Sequence, residues 1–245
     1  MSQYPNPYGY GGAPGAEPLG YESRTDSVTL VQFFNSVYAW MASGIALSAV
    51  VAWWVSTQPA LMAQIFRGPA LIVLFIVEIG LVIAIASAIN KISAGVATAL
   101  FMLYSALNGL TLSAIFIVYT GASLVTTFFV CAGMFAAMSI YGFVTKRDLS
   151  RMGSILFMAL IGLLIATVVN IFWANSTLYW IITYAGVLIF VGLTAYDTQA
   201  LKEIAIQTAG NPALAARLAI SGALKLYLDF INLFLFMLRI LGDRR

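Results

Sequence analysis

Three carboxylates stand where a carboxylate is expensive. Of the nine acidic residues, Glu17, Glu22, Asp26, Asp148, Glu203 and Asp243 fall in the N-terminal tail, in loops or near the C-terminus. Glu78, Asp197 and Asp229 instead interrupt long apolar runs: LIVLFIVEIGLVIAIA, GLTAYDTQALK and ALKLYLDFINLFLFMLRILG. At the centre of a membrane-spanning helix an aspartate costs about 2.5–3.5 kcal/mol on insertion scales. Each of the three is therefore expected to face a partner, a protein interior or water. With no histidine in the chain, a response to pH near neutrality falls to such carboxylates. Glu78 has no polar neighbour in its own run, so it needs a partner on another helix or must stay neutral. It serves either as a hydrogen-bonded structural acid or as a gating, proton-handling group.

Asp197 and Asp229 lie on consecutive apolar segments of opposite direction, both towards the same end, so they can meet face to face. Two negative charges about 4 Å apart at an effective dielectric of about 20 repel by roughly 4 kcal/mol. That is enough for two carboxylates to hold one proton between them and titrate as a unit. The pair has two chemical uses: sensing pH through the shared proton, or, fully ionised, giving hard oxygen ligands to a divalent cation such as calcium. It can equally be a hydrogen bond that clips two helices together. Lys225 precedes Asp229 by four residues and Asn232 follows by three, on one helical face. Lys225 can pair with Asp229 or extend to the interface; it stands too near the start of its helix to carry a centrally bound chromophore.

The elements that position these groups are membrane helices. Hydrophobic residues make up 62% of the 245 and charged residues 9%, with a mean hydropathy of +0.95; soluble domains carry roughly 25% charged residues. Seven apolar stretches reach the ~20 residues a crossing needs: about 28–56, 70–89, 93–119, 123–144, 152–173, 176–201 and 212–241. Pro69 suits a first helical turn, and Asn175 and Asn211 suit N-caps. The last stretch, at about 1.5 Å per residue, is too long for a hydrocarbon core of roughly 30 Å. Its first part is expected to lie outside the core or to bend at Gly222. An N-terminus on the cytoplasmic side places eight of the 12 Lys and Arg residues on that side, in the sense of the positive-inside rule.

Residues 1–27 hold four of the seven prolines, without the basic start or apolar core of a signal peptide. They are expected to form a disordered cytoplasmic tail ahead of a membrane domain at 28–245. The single cysteine, Cys131, excludes an internal disulfide and reads as a small buried hydrophobe. The net charge of +3, without a basic run interleaved with aromatics, gives no footprint for nucleic acid. Phosphate-binding glycine loops, metalloprotease helices and nucleophile elbows are absent from the sequence, so an enzyme is not expected, and no cofactor is implied.

The YLDFINLF run, with YDTQALK, NGLTLSAIF and TKRDLS, resembles the Bax inhibitor-1 family (transmembrane Bax inhibitor motif proteins), in a bacterial form, over about residues 28–242. The resemblance implies an all-α integral membrane fold of seven helices, the seventh central and surrounded by three helix pairs, in a bacterial inner membrane. It implies a pH-sensitive calcium leak whose sensor is the pair Asp197 and Asp229, with Glu78 at an acidic position of the second span. Family members can carry a basic latch at the end of that span; here Lys91, or Asn90 as a neutral donor, stands in that place. Calcium and protons are then the ions handled. The tyrosine-rich tail and the family's links to stress and cell-death control leave a non-conducting regulator of another membrane protein as an alternative, and proton-coupled calcium exchange as a third reading.

Overall fold

The computed structural model describes the backbone of residues 19–245 and side chains from residue 29; of the tail expected over residues 1–27, residues 1–18 lie outside the described residues. Nine helices follow one another there: α1 (Leu19–Ser56), α2 (Pro59–Phe66), α3 (Ala70–Ala88), α4 (Ala94–Leu112), α5 (Ile115–Val118), α6 (Gly121–Val144), α7 (Ser150–Trp173), α8 (Ser176–Gln207) and α9 (Pro212–Leu241). Strands are absent among these residues, apart from one isolated bridge between Tyr119 and Arg244. Six segments are long and apolar enough to cross a membrane: 29–56, 70–88, 94–118, 121–144, 150–173 and 176–207.

Local sequence sets most boundaries. The side chain of Asn175 accepts from the Leu178 amide and that of Asn211 from the Leu214 amide, satisfying donors that a helix start leaves open. Ser93 and Thr120 do the same for α4 and α6. Three boundaries differ from the sequence reading. α1 is helical from Leu19, ahead of the expected start at residue 28, because no proline or glycine after Gly20 interrupts the turn until Gly44. The third apolar stretch is two helices, α4 and α5, parted where Ser113 turns its hydroxyl onto the Leu110 carbonyl. α2 was not anticipated: it is too short to cross, and it buries Met62 and Ile65 against Val55 of α1.

The molecule is organised around α9, which packs against α1, α4, α6 and α8. Half of its residues are buried, from Ala219 to Leu238. α3 and α7 are the opposite case, each with few buried side chains. Ile72, Ile76, Ile79, Leu164, Ile171 and Phe172 stand exposed on them, as apolar side chains do when lipid is the solvent. α9 is one unbroken helix through Gly222, where a side chain would collide with Leu201 of α8.

Close approach between α6 and α8 brings the site helices into register. A Cβ on Gly142 would meet the backbone of Ala195, and one turn away Ser139 and Thr198 share a hydrogen bond of 3.3 Å. Small residues at such crossings let backbones touch, the main source of helix association in lipid. The α6–α7 loop is clasped by Gln199: its Nε2 donates to the Arg147 carbonyl at 2.8 Å and its Oε1 accepts from the Leu149 amide at 2.8 Å. Lys202 donates to the Phe143 carbonyl at 2.9 Å and lies over the Phe143 ring.

Two consequences are measurable by thermal unfolding in detergent. Gly142→Ala is expected to lose roughly 1–3 kcal/mol by overpacking, whereas Gly133→Ala on the same helix, with open space around it, should be neutral or gain up to about 1 kcal/mol in helix propensity. Gln199→Ala leaves a buried amide unpaired, at about 1–3 kcal/mol, and should speed tryptic cleavage after Lys146 and Arg147.

Candidate functional site

Asp229 is buried, 4% exposed, on the face of α9 turned towards α8. Asp197 is half-buried on α8, near enough for the two carboxyl groups to act on each other electrostatically. Asp229 Oδ2 receives no hydrogen bond from any donor among the described residues. That orphan is a place where a proton or a cation would be stabilised. Lys225 acts electrostatically on both carboxyls.

The pair borders a cavity of about 780 Å³ between α7, α8 and α9. Lys225, Asn232, Tyr196 and Ser154 line it together with the two aspartates. Asn232 spends one amide proton on the Leu228 carbonyl at 2.8 Å, which leaves its carbonyl oxygen as an acceptor. The oxygens here suit a hard cation, although no cluster of three or more His, Cys, Asp or Glu side chains forms among the described residues. A cation held here would need Asn232, backbone or water to complete its shell.

The candidate latch residues lie elsewhere. Asn90 gives its backbone carbonyl to Arg217 of α9 at 2.9 Å, and Ile92 adds a second acceptor at 3.4 Å. Lys91 is exposed on the same turn. The groups acting on Asp197 are Lys225 and Asp229. Arg217, not singled out from the sequence, thus ties the start of α9 to the α3–α4 turn. At the other end Arg239 lies over the rings of Tyr179 and Phe236, and residues 243–245 bond to Val118, Thr120 and Ser123. Cys131 is buried and free.

Glu78 belongs to a separate site on the other side of α9. It is buried, 6% exposed, and accepts from the Thr111 hydroxyl at 3.0 Å, with the Asn108 side chain beside it, both on α4. Asn108 Oδ1 in turn accepts from the Tyr227 hydroxyl at 3.0 Å. The same hydroxyl lies 2.6 Å from Ser48 Oγ of α1. Tyr227 is fully buried, its ring edge-on to Phe101 and Tyr104. The signal for this network was present in the sequence: Tyr104, Asn108 and Thr111 recur at helical spacing in an otherwise apolar span, a polar stripe that must face protein.

The fold and both polar sites lie within the part of the chain that is similar to known proteins. Residues 30–245 match the sequence model of the family described as inhibitor of apoptosis-promoting Bax1. An inner membrane protein of Escherichia coli K12, YbhL, is 52% identical over 229 residues, covering 91% of this chain and 98% of that protein. An uncharacterized protein of Borreliella burgdorferi is 46% identical over 215 residues, covering 87% of this chain and 93% of its own. One from Deinococcus radiodurans is 43% identical over 227 residues, covering 91% and 96%. With an all-helical structure and six apolar crossings beside this match, the chain belongs to the Bax inhibitor-1 family of multi-pass integral membrane proteins.

Proposed function

We propose that the protein is a pH-sensitive calcium leak, gated by protonation of the Asp197–Asp229 pair. The observation that carries this reading is the pair itself, two neighbouring carboxyls on α8 and α9 that line one cavity, one of them with an orphaned buried oxygen. A cation that takes the place of the shared proton finds both carboxylates ionised, so proton and calcium compete for one site. Lys225 and Asn232 border that site; the lysine charge opposes cation entry, and the asparagine oxygen favours it. Function here needs no enzyme chemistry and no resident cofactor.

In this reading α9 is the seventh crossing and the centre of the bundle, ringed by the six apolar spans. Half of its residues are buried among protein neighbours. The N-terminus then lies in the cytoplasm of a bacterial cell, the C-terminus on the far side, and the aspartate pair in the cytoplasmic half of an inner-membrane protein. The same pair would serve a proton–calcium exchanger, which predicts proton movement in fixed ratio to calcium.

Reconstituted protein tests the gate by calcium flux between about pH 5 and 8. An asparagine side chain imitates a protonated aspartate, so Asp229→Asn should show at about pH 8 the flux that wild type shows at about pH 5, with little change between. A variant that keeps the wild-type profile would remove the pair from gating. For topology, alkaline phosphatase fused after Arg245 is expected to be active in a bacterial host and a fluorescent protein at the same point dark; the reverse result would place the C-terminus inside and leave an even number of crossings.

A further inference from the structure

Hydroxyl protons on the Glu78 side of α9 are outnumbered by their acceptors. Tyr227 has one proton and two acceptors in reach: Asn108 Oδ1 at 3.0 Å and Ser48 Oγ at 2.6 Å. Ser48 has one proton for the Tyr227 oxygen, the Ser105 carbonyl at 2.6 Å and the Gly44 carbonyl at 3.0 Å. Thr111 has one for Glu78 Oε1 at 3.0 Å and the Asn108 backbone carbonyl at 2.8 Å. A hydroxyl supplies a single donor, so these contacts cannot all be hydrogen bonds at once. The chain has two internally consistent arrangements.

The charge on Glu78 selects between them. An ionised Glu78 is acceptor-only and draws the Thr111 proton and the Asn108 side-chain N–H. An amide that donates to a carboxylate becomes a better acceptor at its carbonyl oxygen, so the Tyr227 proton turns to Asn108 and Ser48 donates to Tyr227. A neutral Glu78 needs these donors less. Thr111 then returns to the Asn108 backbone, Tyr227 donates to Ser48, and Ser48 donates to Ser105. The titratable groups that face Glu78 are Tyr104 of α4 and Tyr227 of α9; α2, which also packs on α3, has no ionisable side chain.

Tyr227 and Asp229 are two residues apart on α9, about 200° around its axis. The tyrosine faces α1 and α4, the aspartate α8. A change in the seat of α9 on one side is therefore felt on the other, since packed interiors shift between discrete arrangements instead of deforming smoothly. We propose that Glu78 and Tyr227 form a second switch coupled to the Asp197–Asp229 pair, in which the Tyr227 hydroxyl turns its O–H from Asn108 to Ser48, keeping its proton, as Glu78 gains its own, and back as Glu78 loses it. Tyr227 is the positioning residue of this switch, through which the state of Glu78 reaches α9. The functional consequence rests on the leak reading, but the coupling can be measured without any flux.

The test is a double-mutant cycle read by infrared spectroscopy on the full-length protein in vesicles. The carboxyl band lost in Glu78→Gln reports Glu78, and its pH midpoint is followed in wild type, Asp229→Asn, Tyr227→Phe and the double variant. Coupling of ordinary allosteric size predicts that Asp229→Asn changes the proton affinity of Glu78 by about five-fold or more, and that the change falls below about two-fold when Tyr227 is replaced by Phe. Phe keeps the ring between Phe101 and Tyr104, and Ser48→Ala, which removes one of the two acceptors, should abolish the coupling in the same way should Tyr227→Phe not fold. Equal changes with and without the hydroxyl, no change in either background, or a Glu78 band that does not titrate overturns the switch. Absence of calcium flux in the same vesicles counts against the leak alone.

Discussion

A carboxyl group in hydrocarbon has no water to fall back on, and the arrangement of this protein follows from that constraint. Asp229, at 4% exposure, can be tolerated only if another residue shares its proton or its charge. Asp197 neighbours it from α8, and the two positions go with one rotation of α8 and α9 about their axes. That rotation brings Gly222 against Leu201 and Gly186 against Phe236, close approaches that a side chain on either glycine would prevent. From α8 the same register passes to α6 at Gly142 and Ala195 and to α7 at Gly153 and Tyr196. The two aspartates thus stand where the close contacts of four helices converge.

Lipid outside and polarity inside explain why the helices look so different in sequence. α3 and α7 present their large apolar side chains outward and bury little. Hydrophobic burial cannot hold them, because lipid is as apolar as their neighbours. α3 is held by Glu78 through Thr111 and Asn108, and by the Arg217 guanidinium on the turn that follows it. α7 is held by Tyr196 against Gly153 and by the Gln199 clasp on the preceding loop. Each peripheral helix therefore hangs on a few polar or close-packed points, and those points sit near the two acidic sites.

Apolar length, proline and asparagine caps, and the cost of charge in lipid were all legible in the sequence. They gave seven apolar stretches, six of which are long apolar helices in the structure, and the starts of α8 and α9. What stayed hidden was the partner of each polar group whose mate is distant and neutral. Tyr227 meets Asn108 across 119 residues and Ser48 across 179, and Arg217 meets Asn90 across 127. Neutral hydroxyls and backbone carbonyls cost too little in a span to stand out one at a time, unlike a carboxylate. The YDTQALK and TKRDLS stretches could be seen as motifs, but that Gln199 of one clasps the backbone of the other is a property of the folded α6–α8 interface. The α4–α5 break and α2 were missed because each depends on local hydroxyl bonding or on packing against α1, neither of which apolar periodicity records.

α9 separates two polar systems. On the α8 side two carboxyls are neighbours, and one oxygen of Asp229 has no hydrogen-bond partner among the described residues. On the α1 and α4 side the hydroxyls have more acceptors than protons. Neither system is satisfied in a single arrangement, and unsatisfied groups in a low-dielectric interior are costly. Where the free energy of a helix position is set by a few polar contacts on its two faces, a single proton on either face is large enough to choose between positions. The gating proposed for this chain, which has no histidine, rests on that choice: the bilayer removes the solvent that would otherwise make it inconsequential.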